Sequence, residues 1–418
     1  MLPQPSSRQM HTPACLGCGA ALTRTFIDLG LSPLANSYVP LNKTNIPDSL
    51  YPLHARVCDD CLLVQVDRVV PPEEIFSEYA YFSSYSESWL NHCKAYAHAM
   101  IDRFHLGPGS KVVEVGSNDG YLLQYFAAAG IPVLGIDPAA NIAKVARARG
   151  ILTEVAFFGA STAERLRARG EAADLVTAKN VLAHVPDVND FVLGIAAILK
   201  PQGVFTVEFP HLLNLIKEVQ FDTIYHEHFS YLSLLAVERV LERNSMRILD
   251  VEEVATHGGS LRVFACLKGA HYIETAVVAS IRKKEVAARL DRPEGYQGFD
   301  ARVRKVRSDL LAFLDRAKEN GQIVVGYGAA AKGNTLLNYC GIRSDRVGFV
   351  CDRSPAKQNM LLPGSRIEIR SPPAIFIARP DFVLILPWNL CEEIKAELAG
   401  VRDWGGHFVT AIPEVRVD

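Results

Sequence analysis

The stretch Lys111-Val-Val-Glu-Val-Gly-Ser-Asn-Asp-Gly120 decides the fold of the central part of this chain. It is a short β-rich run that enters a glycine-containing loop, and the helix-like segment YLLQYFAAAG (121–130) follows at once. A second strand-like run, PVLGI (132–136), ends at Asp137. Strand, glycine loop, helix, strand and acid follow one another in half of a doubly wound α/β domain, where the glycines let the backbone approach a ligand closely.

The same layout binds either NAD(H) or S-adenosylmethionine, so the loop itself has to discriminate. GSNDG (116–120) lacks the GxGxxG spacing that favours pyrophosphate, and Glu114 stands two positions before its first glycine. This resembles motif I of class I methyltransferases, and the segment 174–203, with its LKPQG turn, resembles the same family. We therefore expect S-adenosylmethionine; a Rossmann domain for another adenosine ligand is the alternative. The expected cofactor-binding residues are Glu114, Gly116, Ser117, Asn118, Gly120, Asp137 and Asn180.

Two CxxC pairs near the start of the chain predict a metal centre. Cys15 and Cys18 form the first pair, and Cys58 and Cys61 form the second about forty residues later. Four thiolates presented from two tight turns suit tetrahedral Zn²⁺ and fill its coordination sphere, so the metal is expected to be structural. The alternatives are four unrelated buried cysteines or a redox pair, although no thioredoxin-like βαβ pattern surrounds either CxxC.

Length and composition bound the kind of protein. A chain of 418 residues predicts two or three domains. A net charge of −2 argues against a nucleic-acid partner held by the overall field. No apolar run reaches the roughly 18 residues that cross a bilayer, so no membrane partner is expected. The polar start predicts a cytoplasmic location, where disulfides are not expected.

The segment FDTIYHEHF (221–229) holds the densest set of reactive side chains. If it is extended, His226 and His228 share a face; if it is helical, Tyr225 and His228 come together. A histidine is a natural base near neutral pH, and a tyrosine can donate to a developing oxyanion. A metal site built on the HxH pair is the alternative, and His226 by itself is expected to be structural.

Three further features concern ligands. His184 lies near the carboxyl end of a predicted strand, where open α/β sheets place their sites. The aromatic run 78–85, which includes Tyr79, predicts a lid over the cofactor. In 326–335 a second strand opens into a helix, where helix amides and Lys332 suit a phosphate. The charged stretch 278–319 between these parts predicts a solvated connector.

These motifs together resemble the S-adenosylmethionine-dependent sugar C-methyltransferases, which act on nucleotide-activated ketosugars in deoxysugar pathways. The resemblance covers nearly the whole chain. Besides the CxxC pairs it rests on YAYFSSYSESW (79–89), EVGSNDGYLL (114–123), EFPHLLNLI (208–216), FDTIYHEHFSYLS (221–233), THGGSLRVF (256–264) and GYGAAAKGNTLLN (326–338). It implies an α/β protein of three parts: a zinc-binding module with a disordered lead (1–76), a class I methyltransferase Rossmann-like domain (77–270) and a C-terminal Rossmann-like domain that binds the nucleotide sugar (271–418).

The implied reaction is methylation of a carbon beside the sugar's keto group, by way of an enolate, with a dTDP- or other NDP-ketosugar as substrate. His228 would be the base, with Tyr225 and His184 as donors to the enolate oxygen. The residues implied to line the active site are Tyr79, His184, Tyr225, Glu227 and His228, and those expected to bind the substrate are Tyr327, Gly328, Lys332 and Asn334. An O- or N-methyltransferase is the nearest alternative function. A non-catalytic zinc-ribbon protein that binds nucleotides is another.

Overall fold

The computed structural model describes residues 12–67, 70–71, 84 and 87–418, so Tyr79 lies outside the described residues. Within them, the strands form a four-stranded, a seven-stranded and a six-stranded sheet, with a two-stranded pair beside them. The α/β fold class expected from the sequence is confirmed. No helix in the described part of the chain is both long and apolar enough to cross a membrane.

The N-terminal unit is a small antiparallel sheet. The N-terminal unit contains the strands β1 (Arg24–Ser32), β2 (Val39–Pro40), β3 (Tyr51–Val57) and β4 (Val64–Val66). β3 pairs with both β1 and β4, and alternate residues of β3 are buried, as expected for a sheet with one covered face. β2 stands apart from this sheet and pairs with a strand of the C-terminal unit.

The central unit is a mostly parallel sheet flanked by helices. Its elements are α1 (Glu87–Phe104), β5 (Val112–Val115), α2 (Leu123–Ala128), β6 (Val133–Asp137), α3 (Ala140–Ala148), β7 (Thr153–Val155), α4 (Ala160–Ala168), β8 (Ala173–Lys179), α5 (Val188–Ile198), β9 (Leu199–Pro210), α6 (Leu212–Lys217), β10 (Ser230–Tyr231), α7 (Leu234–Arg243), β11 (Met246–Val254) and β12 (Ser260–Leu267). The strand order is β11-β12-β9-β8-β5-β6-β7, with β11 and β12 forming an antiparallel hairpin. The order reverses at β5 and β8, which is where sheets of this kind open a ligand crevice.

The C-terminal unit repeats the strand–loop–helix pattern. Its elements are α8 (Ala276–Ala287), α9 (Phe299–Glu319), β13 (Val324–Tyr327), α10 (Ala331–Cys340), β14 (Val350–Cys351), β15 (Met360–Leu361), β16 (Ile369–Arg370), α11 (Pro373–Ala378), β17 (Phe382–Ile385), α12 (Cys391–Glu397), β18 (His407–Thr410) and β19 (Arg416–Val417). β13 runs parallel to β14 on one side and to β17 on the other. The sheet order is β16-β14-β13-β17-β18-β19.

The prediction of a solvated connector over 278–319 is wrong. α8 and α9 break near Pro293, and each helix buries one face. Glu285 of α8 is fully buried, and its carboxylate accepts the N–H groups of Leu234 and Leu235 at the start of α7. Phe299 of α9 stacks on Phe26 of the N-terminal sheet, with 4.7 Å between ring centroids. The many charges of this stretch lie around an apolar stripe at helical spacing, which the sequence interpretation overlooked.

One apolar core joins all three units. It contains residues of β1, of the loop that carries Phe221 and Phe229, of α9 and of the C-terminal sheet. β10, only two residues long, extends the N-terminal sheet by pairing with β4, although it belongs to the central part of the chain. The loop before β10 therefore lies between the N-terminal and C-terminal units.

Candidate active site and metal centre

The four predicted metal ligands lie together. Their Sγ atoms are all within 4.8 Å of one another, with Cys15 3.4 Å from Cys61 and Cys18 3.4 Å from Cys58. Among the described residues, this is the one group of three or more His, Cys, Asp or Glu side chains placed to share an ion. The thiol of Cys15 beside Cys61 lowers the pKa of Cys61 to about 5, which favours the thiolate form. The set fits a closed tetrahedral Zn²⁺ site.

The metal loop is fastened to the central unit. The side-chain amide of Asn189 donates to the carbonyl oxygens of Leu16 and Gly17, at 3.0 and 3.2 Å. The guanidinium of Arg243 donates to the same Gly17 oxygen at 2.7 Å. A metal that fixes this loop therefore also fixes the N-terminal sheet against helices α5 and α7.

The glycine loop after β5 has the conformation that its sequence predicts. Gly116 and Gly120 have φ angles of 69° and 81°. A Cβ atom on Gly116 would lie 2.5 Å from Cγ2 of Val181, so the loop packs closely on the segment after β8. The carboxylate of Asp137 accepts the N–H groups of Asn118 and Ala139, both at 2.9 Å. Asp137 thus holds the loop in place, in addition to its predicted role in binding the cofactor.

Several buried polar atoms around this loop have no hydrogen-bond partner among the described residues. They are both carboxylate oxygens of Glu114, Oγ of Ser117 and Oδ1 of Asn180. Burial raises the pKa of Glu114 well above its ordinary value. Unpaired buried polar atoms are costly, and here they surround the carboxyl ends of β5 and β8. They fit a ligand with amino and hydroxyl groups, as S-adenosylmethionine has.

Tyr225 and His228 meet across a tight turn, as the helical alternative predicted. The His228 N–H donates to the Tyr225 carbonyl oxygen at 2.9 Å, and the two rings are 4.1 Å apart between centroids. Nδ1 of His228 lies 2.9 Å from the carbonyl oxygen of Thr223. Because a carbonyl oxygen only accepts, Nδ1 carries the proton and Nε2 of the neutral ring is an acceptor. The Tyr225 hydroxyl therefore donates to Nε2, at 2.9 Å.

His184 is held in the same tautomer. It ends the short 3₁₀ helix Leu182–His184, and its Nδ1 donates to the carbonyl oxygen of Glu227 at 2.6 Å. Its ring centroid is 4.8 Å from that of His228. Burial lowers the pKa of His184 to about 4, and burial with His184 nearby puts the pKa of His228 well below its ordinary value. Both rings are neutral at pH 7, so the predicted donor role of His184 would require a protonated form that the pocket disfavours.

The other two members of the YHEH turn face the N-terminal unit. Oε1 of Glu227 accepts from the side-chain amide of Asn36 at 3.2 Å, while Oε2 is buried without a partner among the described residues. Burial raises the pKa of Glu227 to about 7. His226 packs on Tyr51, and its Nε2 lies 3.2 Å from the Pro52 carbonyl oxygen. These contacts suit the structural role expected for His226.

Of the four substrate-binding residues predicted in the C-terminal unit, Lys332 is the one whose charge acts on His228. Its ammonium group donates to Oδ1 of Asn389 at 2.6 Å and lies 4.5 Å from the ring centroid of Trp388. The positive charge of Lys332 contributes to the low pKa of His228, which places the two groups in the same electrostatic environment.

The three other predicted residues have contacts elsewhere. The Tyr327 hydroxyl donates to Glu397, the Asn334 amide donates to the carbonyl oxygen of Ala35, and Gly328 lies against Pro387. These contacts join them to Glu397, Ala35 and Pro387. Their role in substrate binding stays a prediction.

Two residues that sequence reasoning missed complete this side of the cleft. The indole N–H of Trp388 donates to Oδ2 of Asp222 at 2.8 Å, and Oδ1 of Asp222 is buried with no partner among the described residues. Burial raises the pKa of Asp222 to about 6. Asp222 stands only three residues before Tyr225, so its position in the motif was a usable signal. Nothing near Trp388 in the sequence indicates that it crosses to this loop.

A buried charge cluster lies behind the site and was also missed. Glu208, at the end of β9, accepts from Lys179 at 2.6 Å, from His92 at 3.0 Å and from Arg262 at 3.2 Å. Burial opposes ionisation of Glu208, but Lys179, His92 and Arg262 together hold its pKa well below the ordinary value. Trp89 stacks on His92, with 5.1 Å between ring centroids. The cluster fixes the ends of β8 and β9 beside the cofactor loop.

Known protein families match each of the three units. A zinc binding domain matches residues 15–76, a methyltransferase domain matches 90–251, and a C-methyltransferase C-terminal domain matches 255–413. The C-methyltransferase NovU of Streptomyces niveus is 36% identical over 403 residues, which cover 96% of this chain and 96% of that protein. This match spans the metal, cofactor and C-terminal units together.

Two further matches cover smaller shares of the chain. A ubiquinone biosynthesis O-methyltransferase of Bartonella bacilliformis is 33% identical over 25% of this chain and 44% of that protein. The solved structure of magnesium protoporphyrin IX methyltransferase from Synechocystis PCC 6803, with bound SAM, has a TM-score of 0.32 and 15% identity. It covers 42% of this chain and 78% of that chain.

Proposed function

The chain belongs to the S-adenosylmethionine-dependent C-methyltransferases, and from that premise we propose that it methylates the ring carbon beside the keto group of a nucleotide-activated 4-keto deoxysugar. The supporting observation is the pair of neutral imidazoles, His184 and His228, held with Tyr225 close to the cofactor loop. A carbon beside a ketone becomes a nucleophile only after it loses a proton. Such a reaction needs a base and a donor to the enolate oxygen, and these residues supply both.

His228 is the base in this proposal. Its Nδ1 is fixed to the Thr223 carbonyl oxygen, so Nε2 is the nitrogen that accepts a carbon-bound proton. Because the pKa of His228 is lowered, the ring is always in the basic form at pH 7, but it is a weak base. Proton transfer from carbon to a weak base depends strongly on stabilisation of the enolate oxygen.

Tyr225 supplies that stabilisation by changing its acceptor. In the resting site its hydroxyl donates to Nε2 of His228. Once Nε2 has taken a proton from the substrate it no longer accepts, and the enolate oxygen becomes the stronger acceptor at the same moment. The hydroxyl then donates to the enolate oxygen, a contribution of about 3 kcal/mol by comparison with other oxyanion donors.

The cofactor lies at the loop between Gly116 and Gly120 in this proposal. S-adenosylmethionine supplies the electrophilic methyl group. Glu114, Ser117 and Asn180 present the unpartnered polar atoms to it, and Asp137 keeps the loop in register. The chain from Asn180 to His184 then joins the cofactor loop to the base. The backbone hydrogen bond of 2.6 Å from Phe229 to the Ala183 carbonyl oxygen ties the two together.

The C-terminal unit holds the diphosphate. Helix α10 begins at Ala331 without a side-chain cap, and a helix start of this kind favours an anion. Lys332 is in its first turn and brings a positive charge to the cleft. Thr335 of the same helix contacts the carbonyl oxygen of Ile224, next to Tyr225, at 3.2 Å. A diphosphate at α10 would therefore place its attached sugar beside the catalytic turn.

The proposal is tested by hydrogen exchange. The protein is incubated in D₂O with thymidine-diphosphate 4-keto-6-deoxyglucose, with and without S-adenosylmethionine, and the ring hydrogens are followed by NMR. Exchange beside the ketone should occur in the wild type, and the methylated position should be the one that exchanges. His228→Ala should abolish exchange, while His271→Ala, at an exposed histidine, should leave it unchanged.

Two results would contradict parts of the proposal. Methyl transfer to an oxygen or nitrogen without ring exchange would identify a heteroatom methyltransferase and remove the role of His228 as base. Binding of the cofactor with no methyl transfer over a panel of keto and hydroxy sugars would favour a non-catalytic nucleotide-binding protein. Lys332→Ala, with wild-type cofactor affinity and weaker binding of thymidine diphosphate, would support the diphosphate site.

A further inference from the structure

The turn between β11 and β12 carries a histidine in an uncommon backbone conformation. His257 has φ 56° and ψ 23°, and the two glycines that follow have φ of 89° and 101°. A residue other than glycine is uncommon in the left-handed region, although histidine adopts it more often than most, and strained residues of this kind often lie at functional sites. Glycine would adopt the same conformation without a steric cost. The side chain at this position therefore needs a reason beyond the turn itself.

The turn is fixed from several directions. The Thr256 hydroxyl donates to Glu208 at 3.2 Å, and the side-chain amide of Gln220 donates to the Gly258 carbonyl oxygen at 2.9 Å. A Cβ atom on Gly258 would lie 2.4 Å from the ring of Trp388, so the C-terminal unit packs directly on the turn. None of these contacts uses the imidazole of His257.

The imidazole of His257 lies beside the ring of Trp89. Its ring is 5.6 Å from that of Trp89, at 86°, and Nδ1 is buried with no hydrogen-bond partner among the described residues. An unpaired buried polar atom is costly, so a site that keeps one gains when a ligand satisfies it.

The charges that face His257 decide which ligand group suits it. The lysines Lys332 and Lys179 oppose a positive charge on His257, and the carboxylate of Glu208 favours one. Burial, with these cations, lowers the pKa of His257 to about 4 and keeps the ring neutral at pH 7. A neutral imidazole offers one donor and one acceptor. A hydroxyl group also donates and accepts, so it matches either nitrogen, whereas a phosphate matches only the donor.

We propose that His257 is a substrate-contact residue whose imidazole hydrogen-bonds a ring hydroxyl of the sugar. This inference rests on the proposed function, because it assumes that a sugar occupies the cleft between the central and C-terminal units. The two units meet at this turn through Gly258 and Trp388, and the charge of Lys332 reaches both His257 and His228. His257 thus contributes to recognition of the sugar from an element that carries none of the other proposed catalytic residues.

The test compares His257→Gly and His257→Asn with the wild type. His257→Gly removes the imidazole and suits the backbone, and asparagine tolerates positive φ while keeping one donor and one acceptor. His105→Gly is the matched control, because His105 is an exposed histidine with φ 50°. The measurements are KM and kcat for thymidine-diphosphate 4-keto-6-deoxyglucose, the Kd of S-adenosylmethionine without sugar, and Tm.

The expected result is specific to the sugar. His257→Gly should raise KM about 10-fold, with His257→Asn between it and the wild type, and should leave the Kd of S-adenosylmethionine unchanged. Substrate analogues that each lack one ring hydroxyl should identify the hydroxyl that His257 contacts. For one of these analogues the KM of the wild type should be higher by a similar factor. For that analogue His257→Gly should not raise the KM further. His105→Gly should keep the wild-type KM, and neither glycine variant should lower Tm.

Three outcomes would overturn the inference. An unchanged KM in both His257 variants, with an active wild type, contradicts the inference alone. A weaker Kd for S-adenosylmethionine with an unchanged sugar KM shows that His257 serves by packing on Trp89 beside the cofactor. A wild type that neither exchanges nor methylates the ketosugar contradicts the proposed function and the inference with it.

Discussion

Asp137 and Asp352 hold the first loops of the two Rossmann-like units in the same way. In each unit, Oδ2 of the aspartate accepts an N–H of the loop after the unit's first strand. Oδ1 accepts the backbone N–H of the residue two positions after the aspartate. The donors are Asn118 and Ala139 for Asp137, and Ala329 and Ser354 for Asp352. Each carboxylate therefore joins the loops that follow two neighbouring strands of its sheet. The two units differ in the residues that surround this aspartate.

Asp137→Asn and Asp352→Asn should separate the two units functionally. Each change places an amide NH₂ against a backbone N–H and should lower the free energy of unfolding by about 1–3 kcal/mol. Only Asp137→Asn should weaken binding of S-adenosylmethionine, which calorimetric titration measures. Equal loss of cofactor affinity in both variants would show that the second loop also contacts the cofactor.

Gly116→Ala should disturb both the cofactor loop and the segment after β8 that contains Val181 and His184. The new Cβ would lie 2.5 Å from Val181 at φ 69°, so strain and overpacking together should cost about 2–4 kcal/mol. Gly130→Ala is the matched control, since Gly130 has φ 73° with nothing within 4 Å, and should cost about 1 kcal/mol. Thermal unfolding and the Kd of S-adenosylmethionine report the difference. Similar losses in the two variants would show that the contact with Val181 is unimportant.

Removal of one cysteine ligand should also affect Glu227, because Asn36 links the N-terminal unit to that residue. Cys58→Ser should bind less than one zinc ion per chain, lower the unfolding free energy by several kcal/mol and reduce turnover, because the N-terminal sheet supports Glu227 by way of Asn36. Cys391→Ser, outside the cluster, should bind zinc like the wild type. Metal content by mass spectrometry, calorimetry and turnover are the measurements. Full zinc content in Cys58→Ser would contradict the four-cysteine site.

Glu227→Gln should change how stability depends on pH. The folded pKa of about 7 lies above the ordinary value of 4.5, so folded Glu227 keeps its proton where unfolded Glu227 has lost it. The stabilisation is complete below the unfolded pKa and is lost as pH rises through 7. Relative to the wild type, Glu227→Gln should therefore gain about 2 kcal/mol between pH 5 and pH 7. Denaturant unfolding at the two pH values checks this, and a constant difference would contradict it.

Much of the central unit follows from local sequence. The strand, glycine loop, helix and acid between Lys111 and Asp137 are set by contacts between near neighbours, and each lies where the pattern predicts. The hairpin of β11 and β12 and the paired cysteines are local in the same sense. The domain limits at 76/77 and 270/271 stay predictions.

The candidate site was less accessible from sequence. The sequence named the residues of the YHEH turn and Lys332 as candidates, and their roles stay predictions. Asp222, Trp388 and the cluster around Glu208 were not, because a charged or aromatic residue carries no periodic signal that says which distant element it contacts. Glu285 shows the difficulty best, since it resembles a surface residue of a charged helix and is fully buried.

By itself the sequence determined the α/β class, the four-cysteine metal centre and the cofactor loop, because these depend on spacing within short segments and on the backbone freedom of glycine. Tertiary structure alone decided that Asn36 meets Glu227, that Trp388 meets Asp222, and that Nδ1 of His257 is buried with no partner among the described residues. Those contacts join parts of the chain that lie far apart in sequence. They exist because one apolar core packs the three units together around the loop that carries Phe221 and Phe229.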